Sequence, residues 1–170
     1  MDPLPSMWRT ELWHPLVVHF PIALLLVGTG MRMIAMLHRR YAVLRFLVPA
    51  GRTLLGLGTL GAWVAVYTGT LADAEVARTL CDPTIAETHE QWAYRTAWLF
   101  TGGLGIDVLL WRGWTPNLGR LGRFGVRLVL VGLLLSGSAG LGYVGHLGAQ
   151  LVYQQAAAVY HPGPDCAAFE

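Results

Sequence analysis

Apolar residues gather in four long blocks along the chain, separated by short segments that carry most of the polar and arginine positions. The blocks are about Pro15–Leu37, Thr53–Leu71, Trp92–Trp111 and Val126–Leu147. Each approaches the ~20 residues that a helix needs to cross a bilayer. The last continues through Gln150-Leu151-Val152-Tyr153-Gln154-Gln155 before Pro162 stops it. Short connections between such segments predict an all-α, integral-membrane four-helix bundle of up-down-up-down topology. The pattern leaves no soluble appendage, so residues 1–170 read as one transmembrane domain.

Composition strengthens this reading. The chain is 54% hydrophobic and 13% charged, against about 25% charged in soluble domains. A core of this size cannot bury that much apolar surface, so lipid must cover the rest. The start, Met1-Asp2-Pro3-Leu4-Pro5, lacks a basic n-region, and the first apolar run is too long for a signal-peptide core. It reads as a retained span. A net charge of +2 is too small to point to nucleic acid.

Charge placement orients the bundle. Arg32, Arg39, Arg40, Arg45, Arg52, Arg112, Arg120, Arg123 and Arg127 fall at or near one face, and only Arg9, Arg78 and Arg95 fall toward the other. The arginine-rich face is the expected cytoplasmic side. Both termini then lie outside, in a multi-pass protein of the bacterial inner membrane. Cys81 and Cys166 share that oxidising face, where a disulfide between them is expected, with two unpaired thiols as the alternative. Neither belongs to a C-x-x-C-H haem-attachment motif.

Small residues crowd the second and fourth blocks: Gly56, Gly58 and Gly61 in one, Gly132, Ser136, Gly137, Ser138, Gly140, Gly142 and Gly145 in the other. Close helix packing explains them. Room for a flat macrocycle is the second reading. Trp8, Trp13, Trp92, Tyr94, Tyr143, Tyr153, Trp111 and Trp114 lie near block ends, where an interfacial aromatic belt accounts for them.

The chemistry lies in the histidines. Five of six fall on the outer face: His14, His19, His89, His146 and His161, with His38 opposite. A histidine at membrane depth normally faces the bundle interior or a functional site. One alone could bond a carbonyl or water, but three helices bring imidazoles to one layer. Imidazole is the commonest transition-metal ligand and also serves haem iron. His14 and His19 are about 140° apart on a regular helix and cannot easily grip one ion together. Both remain candidate haem ligands, serving two separate haems or with one ligating while the other caps the helix. Pro15 suits a first helical position, which leaves His14 at the cap and makes His19 the better ligand candidate of the two. The expected centre is a haem b, one or two per chain, held by His19 with His89 or His146. No cysteine or methionine pairs stand beside the histidines to suggest copper. Arg95 is the candidate partner for haem propionates. Asp107 reads as a pairing partner for Arg112 or a member of a proton path.

The segment His14-Pro15-Leu16-Val17-Val18-His19-Phe20-Pro21-Ile22-Ala23-Leu24 resembles the opening signature of a bacterial membrane family, domain-of-unknown-function 2231. Its members share an H-P-x-x-V-H-F-P-I start, a histidine before the third helix and a G-G-x-L-V-Y ending. His89 is similar to the second feature and Gly148-Ala149-Gln150-Leu151-Val152-Tyr153 to the third, with Ala149 in place of a glycine. His146 matches no feature of that pattern. Domains of this family look like those found beside cytochrome c or Rieske-type modules, which implies membrane redox work by analogy.

The resulting expectation is a membrane-embedded b-type cytochrome near the periplasmic face. It would pass electrons between the quinone pool and a periplasmic redox protein, or anchor a larger redox complex. No catalytic residue set is present, so electron transfer is expected rather than catalysis. A cofactor-free membrane scaffold and a periplasm-facing copper or zinc site are the rival readings.

Overall fold

The computed structural model describes residues 8–37, 44–114 and 118–159. A short 3₁₀ turn (Thr10–Leu12) leads into four helices: α1 (Trp13–Leu37), α2 (Leu47–Val76), α3 (Pro83–Trp111) and α4 (Arg120–Gln155). The described residues contain no strand. All four helices reach beyond the apolar blocks. Hydropathy marks only the lipid-compatible middle of a helix, and amphipathic ends continue the same backbone. At α3 the true start is set by Asp82, whose carboxylate accepts from the Thr84 amide (2.9 Å) and the Thr84 hydroxyl (2.6 Å), with Pro83 in the first turn. This is an N-cap with proline where its missing N–H costs nothing.

Three helices are long and apolar enough to cross a membrane: Thr10–Leu37 with its leading turn, Leu47–Val76 and Arg120–Gln155. Helix α3 does not reach that hydropathy because Glu87, Glu90, Arg95 and Asp107 interrupt its apolar run. The charge of Asp107 does not face outward. That residue is fully buried and takes Arg32 on one oxygen and Arg52 (2.7 Å) on the other. Its partners are therefore these two arginines, rather than the expected Arg112, whose guanidinium lies over the Trp114 ring.

The interior is narrow. Leu25, Leu55, Phe100, Leu130 and Leu134 form its buried centre, while Leu16, Phe20, Leu57, Leu60, Trp98 and Leu128 point outward. An apolar outer surface on every helix is what lipid contact requires, and water would penalise it.

Two hairpins build this interior, and they repeat each other. In the first, Leu25 packs on Gly58, Pro21 on Gly61, Leu55 on Gly28 and His14 on Gly69. In the second, Phe100 packs on Gly137, Thr96 on Gly140, Leu134 on Gly103 and His89 on Gly148. The spacing between corresponding members is constant for every α1/α3 pair and again for every α2/α4 pair. Even the hydroxyl bonds recur: Thr59 donates to the Leu55 carbonyl (2.7 Å) and Ser138 to that of Leu134 (2.9 Å). The contact order makes α1 antiparallel to α2, and α3 antiparallel to α4.

Packing on glycine lets backbones approach closely. A Cβ on Gly58 would lie 2.8 Å from Leu25 Cγ, and one on Gly137 2.9 Å from the Phe100 ring. Corresponding positions of the two hairpins also face one another. At one end of the bundle His14 meets His89. At the other Arg32 meets Asp107.

Candidate functional site: a histidine pair between two hairpins

His14 sits in the first turn of α1, and its Nδ1–H donates to the Ala65 carbonyl of α2 (2.9 Å). His89 sits in the second turn of α3, and its Nδ1–H donates to the Val144 carbonyl of α4 (3.1 Å). In each case the residue one turn after the accepting carbonyl is the glycine under the ring: Gly69 beneath His14 and Gly148 beneath His89. A Cβ there would stand 3.2 Å from His14 Cε1 and 3.3 Å from His89 Cε1. The carbonyl fixes the ring through one nitrogen, and the glycine gives the ring space to reach it.

A carbonyl can only accept, so Nδ1 of each ring carries the proton. In the neutral imidazole this leaves Nε2 with a lone pair. Metal-bound histidines use the same arrangement, with the second ring nitrogen tied to a carbonyl or carboxylate. The two rings lie 6.1 Å apart between centroids at an interplanar angle of 85°. Two imidazoles that share one metal, each with a bond of about 2.0–2.1 Å, have ring centres within about 6–7 Å of each other.

Two cavities are lined by both members of the pair. The larger, about 490 Å³, is lined by His14, Val18, His19, Ile22, Ala62, Ala65, His89, Ala93, Leu141, Gly145, Gly148 and Tyr153 among others. The smaller, about 170 Å³, shares His14, Pro15, Val66, His89, Ala93, Gly148 and Val152 with it, and adds Glu11, Gly69, Asp73 and Glu90. A mostly apolar space of a few hundred Å³ with a few convergent polar atoms is the usual form of a small-molecule or cofactor site.

The remaining predicted site residues lie apart from the pair. His19 borders the larger cavity, but it is exposed and its Nδ1–H donates within its own helix to the Pro15 carbonyl (2.8 Å). His146 is exposed. The expected pairing of His19 with His89 or His146 is therefore not the one that the fold assembles; His14 is the residue that faces His89. Helix α1 begins at Trp13, so His14 lies inside its first turn rather than at the cap expected from Pro15, and that turn faces the bundle interior. Arg95 is exposed, with its guanidinium over the Trp92 ring at 5.1 Å. Arg9 pairs with Glu11 (3.1 Å). Cys81 is exposed, while its expected partner Cys166 lies outside the described residues, as do His38 and His161.

The internal repeat is the signal that would have singled out the pair. His14 and His89 occupy one position of the repeated hairpin, and Gly69 and Gly148 occupy another. His19 corresponds to Tyr94 and His146 to Tyr67, so neither recurs.

Fold and site together define a helical membrane-type bundle with a paired-imidazole cavity at one end. The family model described as "Predicted membrane protein (DUF2231)" matches residues 12–161, and the chain belongs to that family. No curated protein and no solved structure matches it.

Proposed function

We propose that this chain is a small integral-membrane b-type cytochrome in which His14 and His89 hold one haem iron. The carrying observation is the geometry of the pair. Two Nδ1 atoms are committed to carbonyls, two Nε2 atoms are available, and the ring spacing suits a single metal between them. A bound haem supplies one-electron redox chemistry, with a potential set by ligand identity, burial and hydrogen bonding.

The donor set favours a macrocycle over a bare ion. Structural zinc sites use four protein ligands and catalytic ones three. Among the described residues, no group of three or more His, Cys, Asp or Glu side chains is disposed to hold a metal. The imidazoles of His14 and His89 would be sufficient where a porphyrin supplied the other donors. Gly69 and Gly148 leave room for the two rings, while Val66, Ala93 and Val152 give both cavities an apolar lining beside them.

In this reading the histidine end faces the periplasm and the arginine end the cytoplasm, in a multi-pass arrangement with both termini outside. The larger cavity, with His19 and Tyr153 at its edge, is where a quinone headgroup would approach. Electrons would pass between the quinone pool and a periplasmic redox protein, or into a larger complex that the chain anchors.

Single substitutions test the ligand pair. His14→Ala and His89→Ala are each expected to purify with less than a tenth of the wild-type haem content. His19→Ala and His146→Ala should keep it. Full haem retention in both His14→Ala and His89→Ala overturns the assignment.

A further inference from the structure

The two hairpins meet along two seams, α2 with α3 and α4 with α1, and the repeat makes these seams equivalent. They are not filled alike. On the α2/α3 seam, Trp63 donates its indole N–H to the Thr101 hydroxyl (3.1 Å). Its ring also packs edge-on against Tyr94 and Trp98, at 6.2 and 5.0 Å between centres. The corresponding positions of the α4/α1 seam hold Gly142 for Trp63, His19 for Tyr94, Ala23 for Trp98 and Leu26 for Thr101. A glycine and an alanine thus stand where the other seam has two tryptophans. A Cβ on Gly142 would meet nothing within 4 Å.

The larger cavity opens through this second seam. Its exposed lining residues are Pro15 and His19 of α1 and Gly145, Ala149, Val152 and Tyr153 of α4. Among the described residues, none that lines it from α2 or α3 is exposed. At a rise of about 1.5 Å per residue, His19 lies roughly 9 Å from the start of α1 and Gly145 roughly 15 Å from the end of α4. The mouth therefore runs along the helices, where a membrane-spanning bundle meets lipid.

The chemistry of the mouth selects a neutral ligand. No described residue lining the cavity is Arg, Asp or Glu, so a phosphate or carboxylate head finds no counter-charge there. His19 commits its Nδ1–H to the Pro15 carbonyl (2.8 Å). Nε2 of the neutral ring is then an acceptor, and it calls for a hydroxyl on the ligand. A quinol has such a hydroxyl, whereas a quinone carbonyl has no proton to give.

We propose that the larger cavity binds a lipid-soluble quinol that enters between α1 and α4. A ring hydroxyl donates to His19 Nε2, and the apolar tail lies along the seam at Ala23 and Gly142. The choice of a redox-active ring rests on the haem reading above, while the lateral opening and the hydrogen bond stand without it.

The full chain is placed in lipid nanodiscs, reduced, and titrated at pH 8 without oxygen by calorimetry. The probes are a decyl-substituted benzoquinol and its dimethyl ether, which has no hydroxyl to donate. The quinol is expected to bind about tenfold tighter than the ether, the effect of one hydrogen bond to the ligand. His19→Phe should bring the quinol down to the level of the ether while haem content stays unchanged. Gly145→Trp, at an exposed lining position with nothing within 4 Å of an added carbon, should close the mouth and abolish binding of both probes. His146→Phe, exposed on the same helix, should change neither. Quinol bound by a colourless preparation with this dependence on His19 and Gly145 supports the site and fails the haem reading. A haem-loaded preparation that takes no quinol overturns this proposal alone. Equal binding of quinol and ether, or quinol binding unchanged in both His19→Phe and Gly145→Trp, also overturns it.

Discussion

At the scale of single residues, the bundle is governed by what stands opposite each glycine. Gly137 faces the rigid Phe100 ring, with atoms at 2.9, 3.0 and 3.1 Å from where a Cβ would lie. An aromatic ring held between helices cannot yield by changing one terminal torsion. Gly137→Ala is therefore expected to destabilise the fold by about 1–3 kcal/mol, the usual cost of overpacking, read as a lower melting temperature in detergent. Gly142→Ala, with nothing within 4 Å of the added carbon, should be neutral or slightly stabilising, because alanine is the better helix former. Gly69→Ala and Gly148→Ala press on the His14 and His89 rings. They are expected to lower haem content more than they lower the melting temperature. Asp107→Asn leaves Arg32 and Arg52 facing one another without their shared counter-charge. Breaking a buried ion pair from one side costs about 3–5 kcal/mol, so this variant should show the largest melting shift of the set.

At the scale of elements, the helices were legible as apolar blocks, as were the ends at Leu37, Trp111 and Gln155, whereas the starts of α2, α3 and α4 were not. The block from Trp92 to Trp111 lies within a helix that begins at Pro83, because the opening turns carry Glu87, His89 and Glu90 and register as polar. The cap at Asp82 explains that start and gives it a pH dependence. The hydrogen bonds from the Thr84 hydroxyl and amide stabilise the carboxylate and hold its pKa below the ordinary value of 3.8. A group whose folded pKa is depressed adds stability above its unfolded pKa and loses it as pH falls through the folded value. Below about pH 4 the first turn of α3 should therefore loosen, seen as faster amide exchange at Thr84 relative to neighbouring turns, and Asp82→Ala should remove that dependence. Unchanged exchange at Thr84 in the variant would contradict the capping role.

At the scale of the whole molecule, the two hairpins explain why the functional groups fall where they do. Repeated elements bring corresponding positions face to face, so the His14/His89 and Arg32/Asp107 pairs mark opposite ends of one arrangement. The histidines stand out in the sequence as candidate ligands, and His14 and His89 are both among them. The pairing was not legible from helical angles alone, because the decisive contacts are between helices: Ala65 and Gly69 on α2 set His14, and Val144 and Gly148 on α4 set His89. The same reason hid the partners of Asp107, which are distant in sequence and come from α1 and α2.

The most direct test of the central claim is the absorption spectrum of the full chain, purified in mild detergent from cells supplied with haem. Oxidised and dithionite-reduced states should be recorded alongside a pyridine haemochrome assay. The account predicts a sharp reduced α-band of b-type haem at one haem per chain, absent from His14→Ala and from His89→Ala. A colourless wild-type preparation would contradict it, and metal analysis of the same sample would then separate a bare-ion site from a cofactor-free scaffold.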